Sequence, residues 1–366
     1  MEKKSFISGF QIVMILFVSR MLFSGSYQAI LEAGNSIQDL LISAIVGFII
    51  NFIAAIPILF LLKKHNGHDL IECGIKLSGK GIGIVIAFLY FMFFIFNAAV
   101  NTENFENYFT SAVIPDVKAY LSGILLIIVC MYGAEKGIES IARFGSIVAV
   151  IYILTFLLVF AMNLPRADIY QLKPLLYNGP KLMIRGVFMN YNISIQIVAL
   201  ALLAAFIQPG KSLSKTFAYW NVLSSLAFFL LEFLIVTVTG AYGAKNLYPV
   251  HLLASISQFS VFERLDAFDM ISWILNVIVA VTLYIYLAVH CLLKTGLNKH
   301  RRLLVFISGT AVFVISMVTS AGFTFLQKIM VSGILSLINT VFIVIIPLAL
   351  IIVDAVKGKV LESENK

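Results

Sequence analysis

Long, nearly continuous apolar runs alternate with short polar segments along the whole chain. Most runs have about 20 residues, the length that a helix needs to cross about 30 Å of hydrocarbon. The strands of a membrane β-barrel would instead alternate apolar and polar positions over about ten residues, so the pattern favours helices. We predict ten membrane-spanning helices, near residues 9–31, 37–62, 81–101, 118–133, 143–162, 184–207, 217–242, 267–291, 303–321 and 329–353.

Span one carries an interruption near its middle. Residues 19–30 read SRMLFSGSYQAI, so Arg20 precedes a Ser24-Gly25-Ser26 triplet that Tyr27 follows. If the helix breaks there, the half-helix beginning near Ser26 presents free N–H groups, and the half-helix ending near Phe23 presents free carbonyls. These groups suit a carboxylate and an amine, which an α-amino acid carries together. The alternative is that Gly25 only permits close helix packing.

Span six contains a second interruption. Its sequence VFMNYNISIQIV places Asn190, Tyr191, Asn192, Ser194 and Gln196 within seven residues of an apolar run. Asn and Ser compete with helical hydrogen bonding by bonding to nearby backbone groups. Broken helices are tolerated in a membrane where they are buried in protein or line a wet cavity. The two interruptions therefore predict a ligand site between them at the bilayer midplane.

Charged and polar residues inside other spans extend this hypothesis. Arg20 is expected either to contact a ligand or to form a structural pair with Glu232 of span seven, because a charge at membrane depth is costly. Asn97 and Asn101 of span three lie at helical spacing, close to Glu103 and Glu106. This face is expected either to line an outward vestibule or to reach the lipid headgroups.

Composition supports the membrane assignment. The chain is 61% hydrophobic and 12% charged, with a mean hydropathy of +1.01, whereas soluble domains are about 25% charged. The net charge of +8 comes from Lys and Arg in loops and does not indicate nucleic-acid binding. These residues are about twice as frequent on the side of the N-terminus, which predicts that both termini are cytoplasmic. Three cysteines without a C-x-x-C motif predict neither disulfides nor a metal site.

One transmembrane domain is expected over residues 1–366, with a short polar tail at 357–366. Residues 69–77 resemble a short surface helix, and residues 250–262 resemble another on the opposite side. This pairing is typical of two inverted five-span repeats, about 9–162 and 184–321 with span ten at 329–353. The absence of H-E-x-x-H, Walker A and G-x-S-x-G motifs predicts that the protein is not an enzyme, and no cofactor is expected.

Several segments resemble one family. They are KSFISGFQIVMIL at the N-terminus, YGAEKGIESIARFG at 132–145, NLYPVHLL at 246–253 and VFERLDAFDMISWI at 261–274. In this order, at span boundaries, they resemble the B subunit of GerA-type spore germinant receptors, the spore germination permease family. That family belongs to the amino acid–polyamine–organocation superfamily, and the resemblance covers essentially the whole chain.

The resemblance implies an all-α membrane protein with a LeuT-like inverted repeat of five plus five helices and discontinuous helices 1 and 6. It implies residence in the spore inner membrane, among lipid, and assembly with A-type and C-type receptor subunits. The implied function is sensing of a nutrient such as an amino acid, and the alternative is secondary amino-acid transport. Arg20 departs from the family, in which many members have a more apolar first span. Span five also lacks a mid-span lysine, so no ion coupling is evident.

Overall fold

The computed structural model describes residues 6–25, 38–113, 116–176, 180–243, 246, 248–257, 266–297, 300–320 and 333–364. Within these ranges the regular structure is helical, and one parallel bridge, between Ile7 and Ile207, joins extended segments. This bridge ties the segment before span one to the segment after span six. The Ile7 N–H donates to the Phe206 carbonyl at 2.9 Å.

The helices follow the predicted order. Their bounds are Gly9–Gly25 for span one, Asp39–Lys64 for span two, Leu70–Tyr108 for span three, Ala119–Lys136 for span four, Ile138–Asn163 for span five, Pro180–Asn192 and Gln196–Leu203 for span six, Leu213–Leu234 for span seven, Asp266–Leu293 for span eight, Arg301–Ser320 for span nine, and Gly333–Thr340 and Ile346–Glu364 for span ten. Among the described residues, nine helices are long and apolar enough to cross a membrane, and Gly9–Phe23 is a shorter apolar helix. Nine predicted spans match these helices, and the shorter apolar helix lies where span one is predicted.

Burial separates central spans from peripheral ones. Spans six and eight are mostly buried, whereas spans four, five, nine and ten expose many apolar side chains. Leu125 of span four is 68% exposed and Ile147 of span five is 62% exposed. Exposed apolar helix faces of this extent are stable in hydrocarbon and not in water. The protein is therefore an integral membrane protein with a central group of helices surrounded by lipid-facing ones.

Spans three and eight form the main central pair. Phe94 packs against Tyr284 with ring centroids 6.0 Å apart, and Phe105 stacks on Trp273 at 6.4 Å. Residue numbers rise along one helix as they fall along the other, so the two helices are antiparallel. Span one lies beside this pair, and its end is held by the Trp273 indole, which donates to the Leu22 carbonyl at 2.9 Å.

The predicted surface helix before span three is present. It begins at Leu70 and ends in a sharp turn at Gly79, where φ is 84° and ψ is 167°. The membrane-crossing part of span three follows this turn. Only glycine adopts this conformation readily. The short helix folds back closely, because a Cβ atom on Gly83 would lie 2.6 Å from the Ile75 Cα atom.

The second predicted surface helix is present over Pro249–Ile256. The rest of the prediction, residues 258–262, lies outside the described residues. Asn163 at the end of span five anchors the helix by donating to the Leu253 carbonyl at 3.2 Å and to the Ser257 hydroxyl at 2.7 Å. The bounds of the two five-span repeats stay a prediction.

A buried ionic cluster joins span eight to the beginning of span three. Asp69 caps span three by accepting from the Glu72 N–H at 2.8 Å, and the Glu72 side chain accepts from the Asp69 N–H in return. The other carboxylate oxygen of Asp69 lies 2.8 Å from His290 Nε2 and 3.7 Å from Lys294 Nζ. Lys294 also pairs with Glu72. Asp69, at the centre of the cluster, is 0% exposed to solvent.

The cluster fixes the charge of its members. Burial raises the pKa of Asp69, but the hydrogen bond and charge of His290, the charge of Lys294 and the Glu72 N–H together lower it below the usual 3.8. Burial lowers the pKa of Lys294, and the neighbouring carboxylates of Asp69 and Glu72 raise it above 10.5. The stabilisation by Asp69 is therefore lost as the pH falls below about 4, and that by Lys294 as the pH rises above about 10.

We expect Asp69→Ala to destabilise the purified protein by about 3–5 kcal/mol, because it removes one partner of a buried ionic cluster. Asp69→Asn keeps an equally good helix cap and should cost less. Thermal unfolding in detergent at several pH values measures the loss.

The matched control is Glu139→Ala. Glu139 forms an exposed pair with Arg143 at 3.8 Å, and exposed pairs contribute about 0–1 kcal/mol. Equal losses for Asp69→Ala and Glu139→Ala would contradict the assignment of the cluster as a stabilising contact between spans three and eight.

Candidate functional site

Span six is broken where its sequence predicted. The first helix ends at Asn192, the second begins at Gln196, and residues 193–195 are not helical. Ser194 caps the first half, because its hydroxyl donates to the Asn190 carbonyl at 2.9 Å. Asn190, Asn192 and Ser194 are all at most 2% exposed. The break therefore lies inside the protein, where its backbone groups need partners from other spans.

Span ten supplies two of those partners. The Ser336 hydroxyl donates to Asn192 Oδ1 at 2.8 Å, and Asn339 Nδ2 donates to the Asn192 carbonyl at 3.1 Å. That carbonyl lies at the end of the first half-helix, where no further helical turn supplies a donor. Ser336 and Asn339 were not among the predicted site residues. Their three-residue spacing in an apolar run is the signal that could have identified them.

The other polar residues of the break point to different neighbours. Asn190 packs against Gly47 of span two, where an added Cβ atom would lie 2.7 Å from the Asn190 Cβ atom. Tyr191 is 7% exposed and lies beside Thr340 of span ten. Gln196 Nε2 lies 3.2 Å from the Tyr284 hydroxyl of span eight. The break therefore joins spans two, eight and ten, and Asn190 serves mainly as a packing residue.

Among the described residues, two amides of the central helix pair have no hydrogen-bond partner. Asn101 of span three and Asn276 of span eight are both 0% exposed, and neither side chain makes a hydrogen bond. The rings of Phe94 and Tyr284 mark where the two helices touch. Asn101 lies two turns after Phe94 on span three, and Asn276 lies about two turns before Tyr284 on span eight. Both residues continue the stripes along which the antiparallel helices face each other. Asn276 was not predicted, and it lies one residue before the position of span eight that is opposite Asn101 in this register.

Asn97, another predicted site residue on span three, already has a hydrogen-bond partner. Asn97 Nδ2 donates to the Phe93 carbonyl of its own helix at 2.8 Å. Its role in ligand binding therefore has less support than that of Asn101. The two acids on the same helix, Glu103 and Glu106, are 2% and 0% exposed. The expectation that they reach the headgroups is wrong, since they face spans four and nine.

The end of span one lies close to the unpartnered amides. The helix continues to Gly25, and Trp273, which holds the Leu22 carbonyl, is one turn from Asn276. The side chain of Ser24 and the surroundings of Gly25 are not described, and Ser26 and Tyr27 lie outside the described residues. The break of span one and its contacts with a ligand stay predictions.

Arg20 is 1% exposed and faces span seven. Its Nη1 atom donates to the Ser224 hydroxyl at 3.0 Å, and longer contacts reach Ser225 at 3.4 Å and Asn221 Oδ1 at 3.5 Å. The guanidinium also lies over the rings of Trp220 and Phe228, at 5.4 and 5.5 Å. This environment of hydroxyls and ring faces fits a structural cation.

Glu232 lies on the same helix, about two turns beyond Ser224, and is 2% exposed. Phe228, whose ring lies 5.5 Å from the Arg20 guanidinium, is one helical turn before Glu232, so both residues lie on the part of span seven that Arg20 faces. The predicted structural pair of Arg20 with Glu232 stays a prediction. A direct role of Glu232 in the ligand site stays a prediction.

In the described parts of the chain, nine helices that can cross a membrane, a shorter apolar first helix, a broken sixth span and buried polar groups at the centre define a transporter-like membrane protein. Two solved structures have the same fold. A crystal structure of MhsT in complex with L-phenylalanine matches 96% of this chain and 99% of its own, with a TM-score of 0.65 and 12% identity. A substrate-bound Na⁺-coupled sialic acid symporter matches 92% of this chain and 77% of its own, with a TM-score of 0.63 and 12% identity. The fold is therefore LeuT-like.

The chain belongs to the spore permease family of spore germination proteins, whose model matches residues 6–324. It is 24% identical to spore germination protein XB of Bacillus anthracis, over 76% of this chain and 78% of that one. It is 26% identical to spore germination protein A2 of Bacillus subtilis (strain 168), over 74% of each chain. The predicted family is thus confirmed.

We expect Asn339→Leu to destabilise the protein by about 1–3 kcal/mol, because the Asn192 carbonyl is then buried without its donor. Ser146→Ala is the control, since that hydroxyl bonds to the Ala142 carbonyl of its own helix and to no other group of the described residues. Thermal unfolding of the purified variants measures the difference. Equal stability of the two variants would contradict support of the break by span ten.

We expect Arg20→Met to lower the amount of folded protein in the membrane, because several buried acceptors on span seven then lose a charged donor. Arg143→Met, at a site 75% exposed, should leave the amount unchanged. Quantitative immunoblotting of membranes compares the two. Normal abundance of Arg20→Met together with a greatly raised nutrient requirement would instead make Arg20 a ligand-binding residue.

Proposed function

We propose that this protein is the nutrient-sensing subunit of a spore germinant receptor. It binds a small nutrient, with an amino acid as the expected kind, in a transporter-like site at the bilayer midplane, and binding triggers germination. It acts in the spore inner membrane with A-type and C-type receptor subunits, and both termini lie on the core side. It is a binding protein and not an enzyme. Family membership carries the biological part of this proposal.

The single observation that carries the binding part is the pair of buried, unpartnered amides Asn101 and Asn276. An amide buried without a hydrogen bond costs about 1–3 kcal/mol. A protein bears this cost where the group has another use, since functional sites often sacrifice stability. A ligand between spans three and eight would supply the missing donors and acceptors. Since both groups are neutral, the part of the ligand they contact is expected to be polar and uncharged.

The break of span six supports the same location. Polar backbone at a broken helix suits the charged ends of a zwitterion, because one half-helix ends in carbonyls and the next begins with N–H groups. Gln196 connects this break to span eight through Tyr284, the helix that also carries Asn276. The predicted contacts from Ser24, Gly25, Ser26 and Tyr27 would complete the site from span one.

Secondary amino-acid transport is the second candidate. The fold shared with a Na⁺-coupled symporter favours it, although that likeness establishes the fold alone. A transporter has to cycle between two states with its ligand, whereas a sensor needs only different affinities for two states. Uptake of a labelled nutrient by liposomes that contain the purified chain distinguishes them. Sensing predicts saturable binding without accumulation of the nutrient.

We expect spores that lack this chain to lose the response to at least one nutrient of an amino-acid panel. In the same assay, Asn276→Leu and Asn101→Leu should raise the nutrient concentration for half-maximal germination at least tenfold. Their abundance should stay normal or increase, because a buried unpartnered amide is replaced by an apolar group of similar size.

Ser122→Ala is the matched control on span four, where the hydroxyl bonds to the Ala119 carbonyl of its own turn and to nothing else in the described part of the chain. It should leave both abundance and the dose response unchanged. Unchanged nutrient sensitivity in both asparagine variants would overturn the proposed site, and an unchanged nutrient response of spores without the chain would overturn the proposed function.

A further inference from the structure

Two carboxylates are buried together near the end of span three, on a different face of the helix from Asn101. Glu103 is 2% exposed and Glu106 is 0% exposed. They lie one helical turn apart, so they share one face of the helix. We refer to them as the outer carboxylate pair. Neither the helix break nor the proposed nutrient site uses them.

Spans four and nine enclose the pair. An added Cβ atom on Gly123 of span four would lie 1.9 Å from Glu106 Oε1, so only glycine leaves room for this carboxylate. The Ser316 hydroxyl of span nine lies 3.4 Å from the same oxygen atom. Thr319, one turn farther along span nine, lies beside Glu103 and donates to the Ile315 carbonyl. The surroundings therefore consist of oxygen atoms and a close helix contact.

The carboxylate oxygens lack compensating donors. The Thr319 hydroxyl is within reach of Glu103, but its hydrogen-bond geometry directs it to the Ile315 and Ser316 carbonyls. Within the described residues, both oxygens of Glu103 and Oε2 of Glu106 are therefore buried without a well-aligned donor. Oε1 of Glu106 has only the long contact with Ser316. In the described parts of the chain, neither carboxylate forms an ion pair with a Lys, Arg or His side chain. Burying two unpaired carboxylates is strongly unfavourable, so the pair requires a positive charge or protons.

We propose that the outer carboxylate pair binds a divalent hard cation, with Ca²⁺ as the best fit. Ca²⁺ takes six to eight oxygen ligands and accepts irregular geometry. Four carboxylate oxygens and the hydroxyls of Ser316 and Thr319 provide six candidate ligands from two spans. The two negative charges balance one divalent cation, whereas a monovalent cation would leave one charge uncompensated. The bound cation would connect span three to span nine beside span four.

The test uses the whole purified protein in detergent, treated with a chelator and titrated with CaCl₂ at pH 7.5 and constant ionic strength. Binding to the folded state raises the unfolding temperature in a saturable manner. We expect a rise of several degrees with Ca²⁺, and none with NaCl at the same ionic strength. Absence of a saturable rise with Ca²⁺ or Mg²⁺ would overturn the proposal.

Variants assign the effect to this site. Glu103→Gln and Glu106→Gln preserve shape and remove the charge, and each should weaken apparent Ca²⁺ affinity at least tenfold. Gly123→Ala should also weaken it, because its methyl group displaces the Glu106 carboxylate. Glu139→Gln, whose side chain is 48% exposed on span five, should retain the wild-type response.

The chemical alternative is one proton shared by the two carboxyl groups. In that case the unfolding temperature would rise on acidification from pH 8 to 6 without any dependence on Ca²⁺, and the glutamine variants would abolish this pH dependence. That result would overturn the cation site. An undiminished Ca²⁺ response in a Glu103→Gln/Glu106→Gln double variant would also overturn it. Neither result bears on the nutrient response, so the two proposals fail separately.

Discussion

The hydrogen bonds between Asn192 of span six and Ser336 and Asn339 of span ten are the contacts on which the central architecture depends. Hydrocarbon offers no donor for a free carbonyl, so a helix can break inside a membrane only if protein groups replace the missing turn. Asn339 replaces it for the Asn192 carbonyl. Span ten therefore does more than enclose the bundle, because it allows span six to expose polar backbone in the interior.

The same constraint separates structural polar groups from groups available to a ligand. Arg20 and Asp69 are buried charges that the fold surrounds with acceptors, ring faces or opposite charges. Asn101 and Asn276 are buried at the same degree, yet their amides make no hydrogen bond. Burying either a charge or an amide costs free energy. Within the described chain, that cost is offset for Arg20 and Asp69 by their partners, but not for the side chains of Asn101 and Asn276. A difference of this kind is the physical reason to place ligand recognition between spans three and eight.

The sequence was sufficient for the spans, the family and the break of span six. Continuous apolar length determines the spans, and five polar residues near Asn192 determine the break, so both are local properties. Asn276, Ser336 and Asn339 were missed because their importance comes from which helices face each other, which periodicity within one helix does not determine. For the face with Glu103 and Glu106, the sequence left a vestibule and the headgroups as alternatives, and it could not indicate the contacts with spans four and nine for the same reason. The Asp69–Glu72 capping box could have been identified from its spacing, although its partners His290 and Lys294 could not.

The most direct test of the central claim is hydrogen–deuterium exchange on the purified chain, with and without the nutrient whose germination response requires it. A ligand between the span-six break and the Asn101–Asn276 pair should slow amide exchange in residues 190–197 and near residue 276. Exchange in the peripheral spans four and nine should be unchanged. Slower exchange confined to other segments, or no change while the same nutrient triggers germination through this chain, would contradict a nutrient site at the centre of the protein.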